Sequence, residues 1–443
     1  MSNWQKVKIG DFLFERKGRY KPNYEQIVNL PRIEKIDFGG NFHIGNKDSK
    51  TDMILIKDGD LVISGINVAK GAMGIYSGED VTATIHYSSY TFDSNKINVE
   101  YFKRFLKSSE FIELLNEQVK GGIKTEIKPK HILPLEIQLP DINTQAQIVQ
   151  HFENVEDDIA DVTKEVLKQE SLLKKLKQTI LQEAIEGKLT AKWRAKNPDI
   201  GTAKELLDQI KTEKEQLVKD KKIKASKLLA PINEDEIPFD IPPSWEWCKF
   251  GEIIYENPRN GYSPKTVDYK TEIKTLKLGA ITQGYFDTTQ IKYLDISIEK
   301  DSFLWLKKGD VLIQRSNSLE HVGMAGIYNL KDTNYIYPDL IMKCQVVQPV
   351  INYFIHKYLV SNFTREYFRN NASGAQQSMP KINQGTVTNL LVPLPPTEEQ
   401  KEIVATIEKL FTICDELESE INQNKTTVDN LMARVLKEAF EQQ

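Results

Sequence analysis

Cysteine is scarce in this chain of 443 residues. The three present, Cys248, Cys344 and Cys414, are scattered and form no C-x-x-C pair, which argues against a structural zinc and for a reducing, cytoplasmic setting. No apolar run approaches the roughly 18 residues that a membrane span needs. The opening MSNWQKVKIGDFLFE has no hydrophobic segment, so no signal peptide is expected. The six histidines form no i,i+4 pair and no H-E-x-x-H, so a metal site is not expected either.

Signatures of catalysis are missing too. There is no G-x-x-x-x-G-K-[ST], and hence no phosphate cradle for an ATP motor. Methyl transfer would need a Gly-rich cofactor loop and an N/D-P-P motif ending in an aromatic. Glu256-Asn257-Pro258-Arg259 comes nearest and lacks both the second proline and the aromatic, while Gly39-Gly40 and Gly121-Gly122 are isolated pairs. No catalytic residue is expected. A large charge of one sign is also absent, since the chain carries −4 overall. By segment, however, residues 1–140 carry +2, 141–240 carry −3, 241–395 carry +3 and 396–443 carry −6. The overall sign therefore does not exclude a polyanionic ligand for the mildly basic parts.

What the chain does have is a repeat. LPDINTQAQIV (139–149) returns as LPPTEEQKEIV (394–404), an offset of 255 that still holds at Glu183-Ala184 and Glu438-Ala439. Upstream, IKDGDLVISGINVAKGAMGIY (56–76) is echoed by LKKGDVLIQRSNSLEHVGMAGIY (306–328) at an offset of 250, and Tyr101 by Tyr353 at 252. Solenoid repeats run to about 20–50 residues, so this is a duplicated domain followed by a duplicated helix. Short apolar runs, Gly-rich turns and one helix near 101–119 make each domain α+β.

Both copies of the helix carry apolar residues at 3–4 spacing: Phe152, Val155, Ile159, Val162, Val166, Leu173, Leu176 and Ile180, then Ile407, Leu410, Cys414, Leu417, Ile421, Val428, Leu431 and Val435. Such seams predict coiled-coil packing. Each is interrupted by a polar residue, Gln169 and Asn424; were the helices antiparallel about a pseudo-dyad, these two would form one polar layer. Gly187 and Pro198 end the first helix, and a second is expected over 202–229 with Thr202 as N-cap.

These features together resemble one family. The W-x-x-x-x-I/F-G-D/E openings, LLKKLKQTILQEAIEGKLT (172–190), SGAQQSMPKINQG (373–385) and PLPPTEEQKEIV (393–404) look like those of Type I restriction-modification specificity subunits, over essentially the whole chain. GGIKTEIKPKHI (121–132) departs from the polar loop of the second copy. The resemblance implies an α+β protein with two tandem target-recognition domains, 1–140 and 241–395. A central helical spacer and linker (141–240) and a C-terminal helical spacer (396–443) would form an antiparallel coiled coil with pseudo-two-fold symmetry. Each domain would read one half of a bipartite, asymmetric site in double-stranded DNA. The helices would set the unread gap and dock two methyltransferase subunits, with motor-nuclease restriction subunits joining the complex. The chain itself would bind no cofactor; S-adenosylmethionine, ATP and Mg would belong to the partners. The rival reading is a coiled-coil adaptor without DNA binding.

Reading DNA requires side-chain donors and acceptors in short loops, with Lys and Arg on phosphates. In the first domain Lys17, Arg19, Tyr20 and Lys21, beside Arg16 and Gly18, form one such cluster; its counterpart is Arg259, Asn260, Tyr262 and Lys265. After the Gly-Asp strand come Ser64, Asn67 and Lys70, matched by Arg315, Asn317, Ser318 and His321. The third pair of loops offers Lys124 and Thr125, with Lys120 and Lys128, against Gln376, Gln377, Ser378 and Lys381. For each cluster the alternative is a solvated turn bonded to itself, and the Lys run over 219–227 reads as a solvated helix face.

Overall fold

The computed structural model describes residues 4–47, 49–66, 72–106, 108–118, 128–225, 228–331, 334–348, 350–374 and 379–441. Two compact units emerge, 1–168 with 421–443, and 169–420.

The first unit contains β1 (Gln5–Lys8), β2 (Leu13–Glu15), β3 (Arg32–Ile36), β4 (Phe42–Gly45) and β5 (Met53–Ile56). It continues with β6 (Leu61–Ser64), β7 (Met73–Ile75), β8 (Val81–Thr84), β9 (Tyr87–Phe92) and β10 (Glu136–Leu139). Its helices are α1 (Val99–Phe105), α2 (Ser109–Gln118), α3 (Pro129–Ile132) and the first part of α4 (Ile142–Ile185). In the second unit, α5 (Ala191–Lys196) and α6 (Ala203–Lys219) follow α4, and then β11 (Glu246–Lys249), β12 (Arg259–Asn260), β13 (Ile273–Leu276), β14 (Ile291–Leu294) and β15 (Val311–Gln314). β16 (Ala325–Ile327), β17 (Tyr335–Ile336), β18 (Ile341–Cys344), α7 (Asn352–Leu359), α8 (Asn362–Asn370), α9 (Gln384–Thr388), β19 (Leu391–Leu394) and α10 (Thr397–Glu441) complete the order.

The sheets repeat between the halves. β2-β9-β6-β7 matches β12-β18-β15-β16, and β4-β3-β8-β5 matches β14-β13-β17, each of the second pair holding one parallel contact. A two-stranded ribbon closes each domain, with Gln5 opposite Leu139 and Glu246 opposite Leu394. The domain therefore ends on the strand that leads straight into its long helix.

The opening motif has a local cause in both copies. Its acid folds back to accept the backbone N–H three residues earlier, Lys8 N to Asp11 Oδ2 at 3.0 Å and Lys249 N to Glu252 Oε2 at 2.6 Å. The Gly-Asp motif works likewise. Gly59 and Gly309 turn at φ 78° and 96°, conformations that glycine adopts without Cβ strain. Asp60 and Asp310 then accept the N–H of Lys57 at 3.0 Å and of Lys307 at 2.9 Å.

Phe12, Tyr90, Tyr101, Phe102, Phe105 and Phe111 fill the first core, into which α4 sends Val149 and Phe152 and against which Val435 of α10 packs. The helix expected over 101–119 is two, α1 and α2. In the second unit Ile281, Leu306, Leu312, Tyr328 and Tyr337 are central. There α4 and α10 run antiparallel: Lys177 Nζ reaches Asp415 at 2.9 Å and Glu418 at 2.7 Å, while Thr190 lies beside Glu399 much earlier in α10. α4 ends at Gly187, whose φ of 71° lets Lys188 N bond back to Glu183 O at 2.9 Å.

The seams are half buried. Phe152, Val166, Leu173 and Ile180 are covered, as are Ile407, Cys414 and Ile421; Val162, Leu176, Leu417 and Leu431 are exposed. The covered residues recur every seventh position, so one row of each seam is closed and the second row lies open. Gln169 is half-buried and Asn424 exposed.

Thr202 caps α6 with a reciprocal pair, its Oγ1 accepting from Glu205 N at 3.3 Å and its N–H donating to Glu205 Oε2 at 2.9 Å. That helix stops ten residues before the expected 229, at Lys219. Lys221 adopts φ 59°, and a continued helix would place Lys219 beside Lys222 and Lys221 beside Lys224 at i,i+3 spacing, which like charges oppose. From Lys221 on the Lys run is thus an exposed turn, not a helix face; Lys227 lies outside the described residues.

Candidate nucleic-acid interface

In the second unit, backbone hydrogen bonds bring three polar segments to one end of the β12-β18-β15 strands. Tyr262 N bonds to Tyr337 O at 2.9 Å, Arg315 N to Leu340 O at 2.8 Å and Ile382 N to Arg315 O at 2.9 Å. The approach at Gly261 is so close that a Cβ there would collide with the carbonyl oxygens of Tyr337 and Pro338. Lys381 bridges to both Ser316 and Ser373. Thus Arg259 and Asn260 of β12 with Tyr262 beyond it, then Arg315 to His321 after β15, then Lys381 meet at that end of the sheet.

Their exposure differs. Tyr262, Lys265, Ser318 and Lys381 are exposed, and Arg259, Asn260, Arg315, Asn317 and His321 are half-buried. Arg259 lies over the Phe303 ring at 5.0 Å and pairs with Glu256 at 2.9 Å. Asn317 is partly engaged within its loop, donating to Gln314 Oε1 at 2.9 Å and accepting from Ser318 N at 2.8 Å. Beneath that loop Arg365 is buried and donates to Glu320 O at 2.8 Å. Burial lowers this guanidinium to about 10. Ser316, which the cluster spans, is buried and bonded to Pro380 O at 3.2 Å.

The first unit offers a cationic cleft of about 450 Å³ lined by Arg16, Lys17, Arg19, His86, Tyr87 and Lys128, with Ser88 and Glu15 among its neighbours. Gly18, at φ 139°, turns the chain between Lys17 and Arg19. Tyr20 and Lys21 leave this cleft: Tyr20 pairs its backbone with Met53, and Lys21 pairs with Asp52 at 2.9 Å. Ser64 is buried, so its hydroxyl is not on the surface. Asn67, Lys70, Lys120, Lys124, Thr125, Gln376, Gln377 and Ser378 lie outside the described residues.

Arg16 has a different task from its neighbours. Its Nε and Nη2 clamp the buried Asp60 carboxylate at 2.6 and 2.7 Å, which raises the guanidinium above its ordinary range. Asp60 also accepts Ser89 Oγ at 2.7 Å. In the second unit the matching Asp310 takes its cation from the neighbouring strand, Lys343 Nζ lying 3.5 Å away. Burial lowers Lys343 despite that carboxylate. The repeated acid is compensated in both halves by different residues.

His86, Tyr87 and Ser88 were not picked out from the sequence. His86 lies between β8 and β9 and Tyr87 and Ser88 begin β9, which meets the Arg16 segment through the Arg16 N to Ser89 O bond of 2.8 Å. The interruption of an apolar strand pattern by H-Y-S-S was the available signal. In the second unit Leu319 and Met379 are exposed among the polar residues and were likewise missed. Among the described residues no cluster of His, Cys, Asp and Glu could hold a metal ion, and no helix is long and apolar enough to cross a membrane.

Comparison with known proteins gives this arrangement its context. The family model "Type I restriction modification DNA specificity domain" matches residues 242–424. The Type I restriction enzyme EcoEI specificity subunit of Escherichia coli is 31% identical over 269 residues, 58% of this chain and 43% of the relative. The EcoKI specificity subunit of E. coli K12 is 26% identical over 343 residues, 77% of this chain and 64% of the relative. The chain thus spans less than two thirds of either relative's length. In fold it is similar to the HsdS subunit from Thermoanaerobacter tengcongensis, with a TM-score of 0.56 at 16% identity over 99% of this chain and 97% of that one. A chain from a study of complex assembly and conformational transition of the type I R-M system gives 0.64 at 15% identity, with the same coverage. Residues 242–424 thus match the Type I restriction modification DNA specificity domain, and the chain is similar to Type I restriction enzyme specificity subunits.

Proposed function

We propose that this chain is the DNA-reading subunit of a Type I restriction-modification complex and has no catalytic activity of its own. Each domain reads one half of a bipartite, asymmetric site in double-stranded DNA. The observation that carries this is the gathering of Arg259, Tyr262, Arg315, Asn317, Ser318 and Lys381 at one end of the β12-β18-β15 strands, with a cationic cleft at the matching Arg16 to Arg19 segment of the other half. Arg and Asn are the side chains that pair bidentately with guanine and adenine, while lysines serve phosphates.

The spacer helices hold the gap and dock methyltransferase subunits. Leu172, Leu176, Ile413 and Leu417 are exposed on the helical part of the second unit, and a partner's apolar surface would cover them. S-adenosylmethionine, ATP and Mg belong to the methyltransferase and restriction subunits, and the complex works in the cytoplasm.

The test is a gel shift with the full chain and its methyltransferase subunit on genomic fragments, repeated across a salt series. Binding should require two separated half-sites. It should fall about a thousand-fold or more between roughly 50 and 200 mM salt if some six or more phosphates are contacted. A stable protein complex indifferent to DNA would overturn this reading in favour of an adaptor.

A further inference from the structure

Two glutamines at the joints between domain and helix share two contacts in both halves, one donated and one accepted. Gln145 and Gln400 stand 255 apart, the offset of the helices, and both are fully buried. Gln145 Nε2 donates to Pro140 O at 2.8 Å and to Lys96 O at 3.2 Å, while its Oε1 accepts from Asn98 N at 2.8 Å. Gln400 Nε2 donates to Pro395 O at 2.8 Å, and its Oε1 accepts from Ile351 N at 2.8 Å.

The partners define what is being joined. Pro140 and Pro395 leave the ribbons closed by β10 and β19. Asn98 and Ile351 are the N-cap residues of α1 and α7, the first helix of each domain. One primary amide therefore ties the exit strand and the domain helix to the first turns of the spacer helix. A carboxylate cannot donate to the proline carbonyl, and an aliphatic side chain can neither donate nor accept. The N-caps themselves differ, Asn in one half and Ile in the other, yet the amide bridge is kept. What is held in common is the geometry of the joint.

We propose that Gln145 and Gln400 are positioning residues that fix the angle of each spacer helix against its own domain, and so hold the gap between half-sites to a single length. This rests on the DNA-reading function proposed above. Angular precision matters at such a joint. Across a domain of about 30 Å, a tilt of about 6° moves the far edge by about 3 Å, which is one base-pair step along DNA.

The test is selection from random duplexes of about three helical turns by the full chain co-expressed with its methyltransferase subunit. The wild type should return a bipartite motif with one gap. Gln145→Leu and Gln400→Leu should return the same half-site bases, with gaps one base pair shorter or longer enriched at least about ten-fold over wild type. Ile351→Pro breaks the second bridge from its other end: it removes the N–H that Gln400 accepts, at a φ of −84° close to what proline adopts. It should broaden the gap as well, and it serves where a Gln variant fails to fold. Folded variants that keep a single gap would overturn the proposal, as would loss of half-site bases with the gap unchanged. A wild type that selects no bipartite motif would instead defeat the DNA reading itself.

Discussion

His356 shows at the scale of one residue how the interior constrains behaviour in solution. It lies buried on α7, and burial pushes its imidazole down to about 4 from an ordinary 6.5. The folded chain thus keeps His356 neutral where the unfolded chain takes up a proton. Its contribution to stability is present in full above pH 6.5 and is lost as the pH falls towards 4. Between pH 7 and 5 the loss should be about 2 kcal/mol. Urea unfolding of the wild type and of His356→Leu at both pH values checks this, because the variant should lack that part of the pH dependence. Equal slopes would show that His356 is not responsible. Neither this burial nor the Arg16–Asp60 clamp could be read from the chain, where Arg16 looks like its cationic neighbours Lys17 and Arg19. The sequence offers Arg, Asn, Lys and Tyr in loops as the types that base and phosphate contact would need. Which of them are engaged internally depends on partners some 44 residues away, as Arg16 and Asp60 are.

At the scale of elements, the long helices were legible because their apolar residues recur at helical spacing, but that spacing could not say how many rows are covered. Leu173 is buried, whereas Leu176, three residues on, is 44% exposed. Leu173→Ala should therefore cost about 2–3 kcal/mol. Leu176→Ala should cost less than about 0.5 kcal/mol in the isolated chain while weakening retention of the methyltransferase subunit. Urea midpoints together with co-purification separate the two effects, and the reverse ranking in stability would sink the one-row reading. The early end of α6 has a related origin. Its apolar residues and Thr202 cap gave the start of the helix, but the Lys-rich tail turns away at Lys221, where like charges at i,i+3 spacing oppose a continued helix.

The duplication governs the scale of the whole chain. The offset of 255 places Ile142 and Thr397, the first residues of α4 and α10, at equivalent positions, and the two domains share their sheet orders although their loops differ. That repeat was visible because a few turn motifs, Gly-Asp and the W-x-x-x-x-I/F-G-D/E opening, carry backbone-satisfying acids that the fold needs twice. The sheet pairing itself was not visible, since strands as short as Arg259–Asn260 carry no periodicity. Each domain enters and leaves through one antiparallel ribbon, Gln5 opposite Leu139 and Glu246 opposite Leu394. A domain bounded in this way can be exchanged without altering the helix that follows. Replacing residues 246–394 by a second copy of residues 5–139 should therefore give a chain whose selected DNA motif has two halves of the same base sequence. The gap should stay within a base pair or so of the wild type's, because Gln400 and the helix it anchors are retained and Gln145 shows the same bridge works on the donor domain. Selection from random duplexes reads both properties at once. Two unlike halves after the exchange would mean that the bases are chosen outside the domains, which would contradict the division of labour between domain and helix.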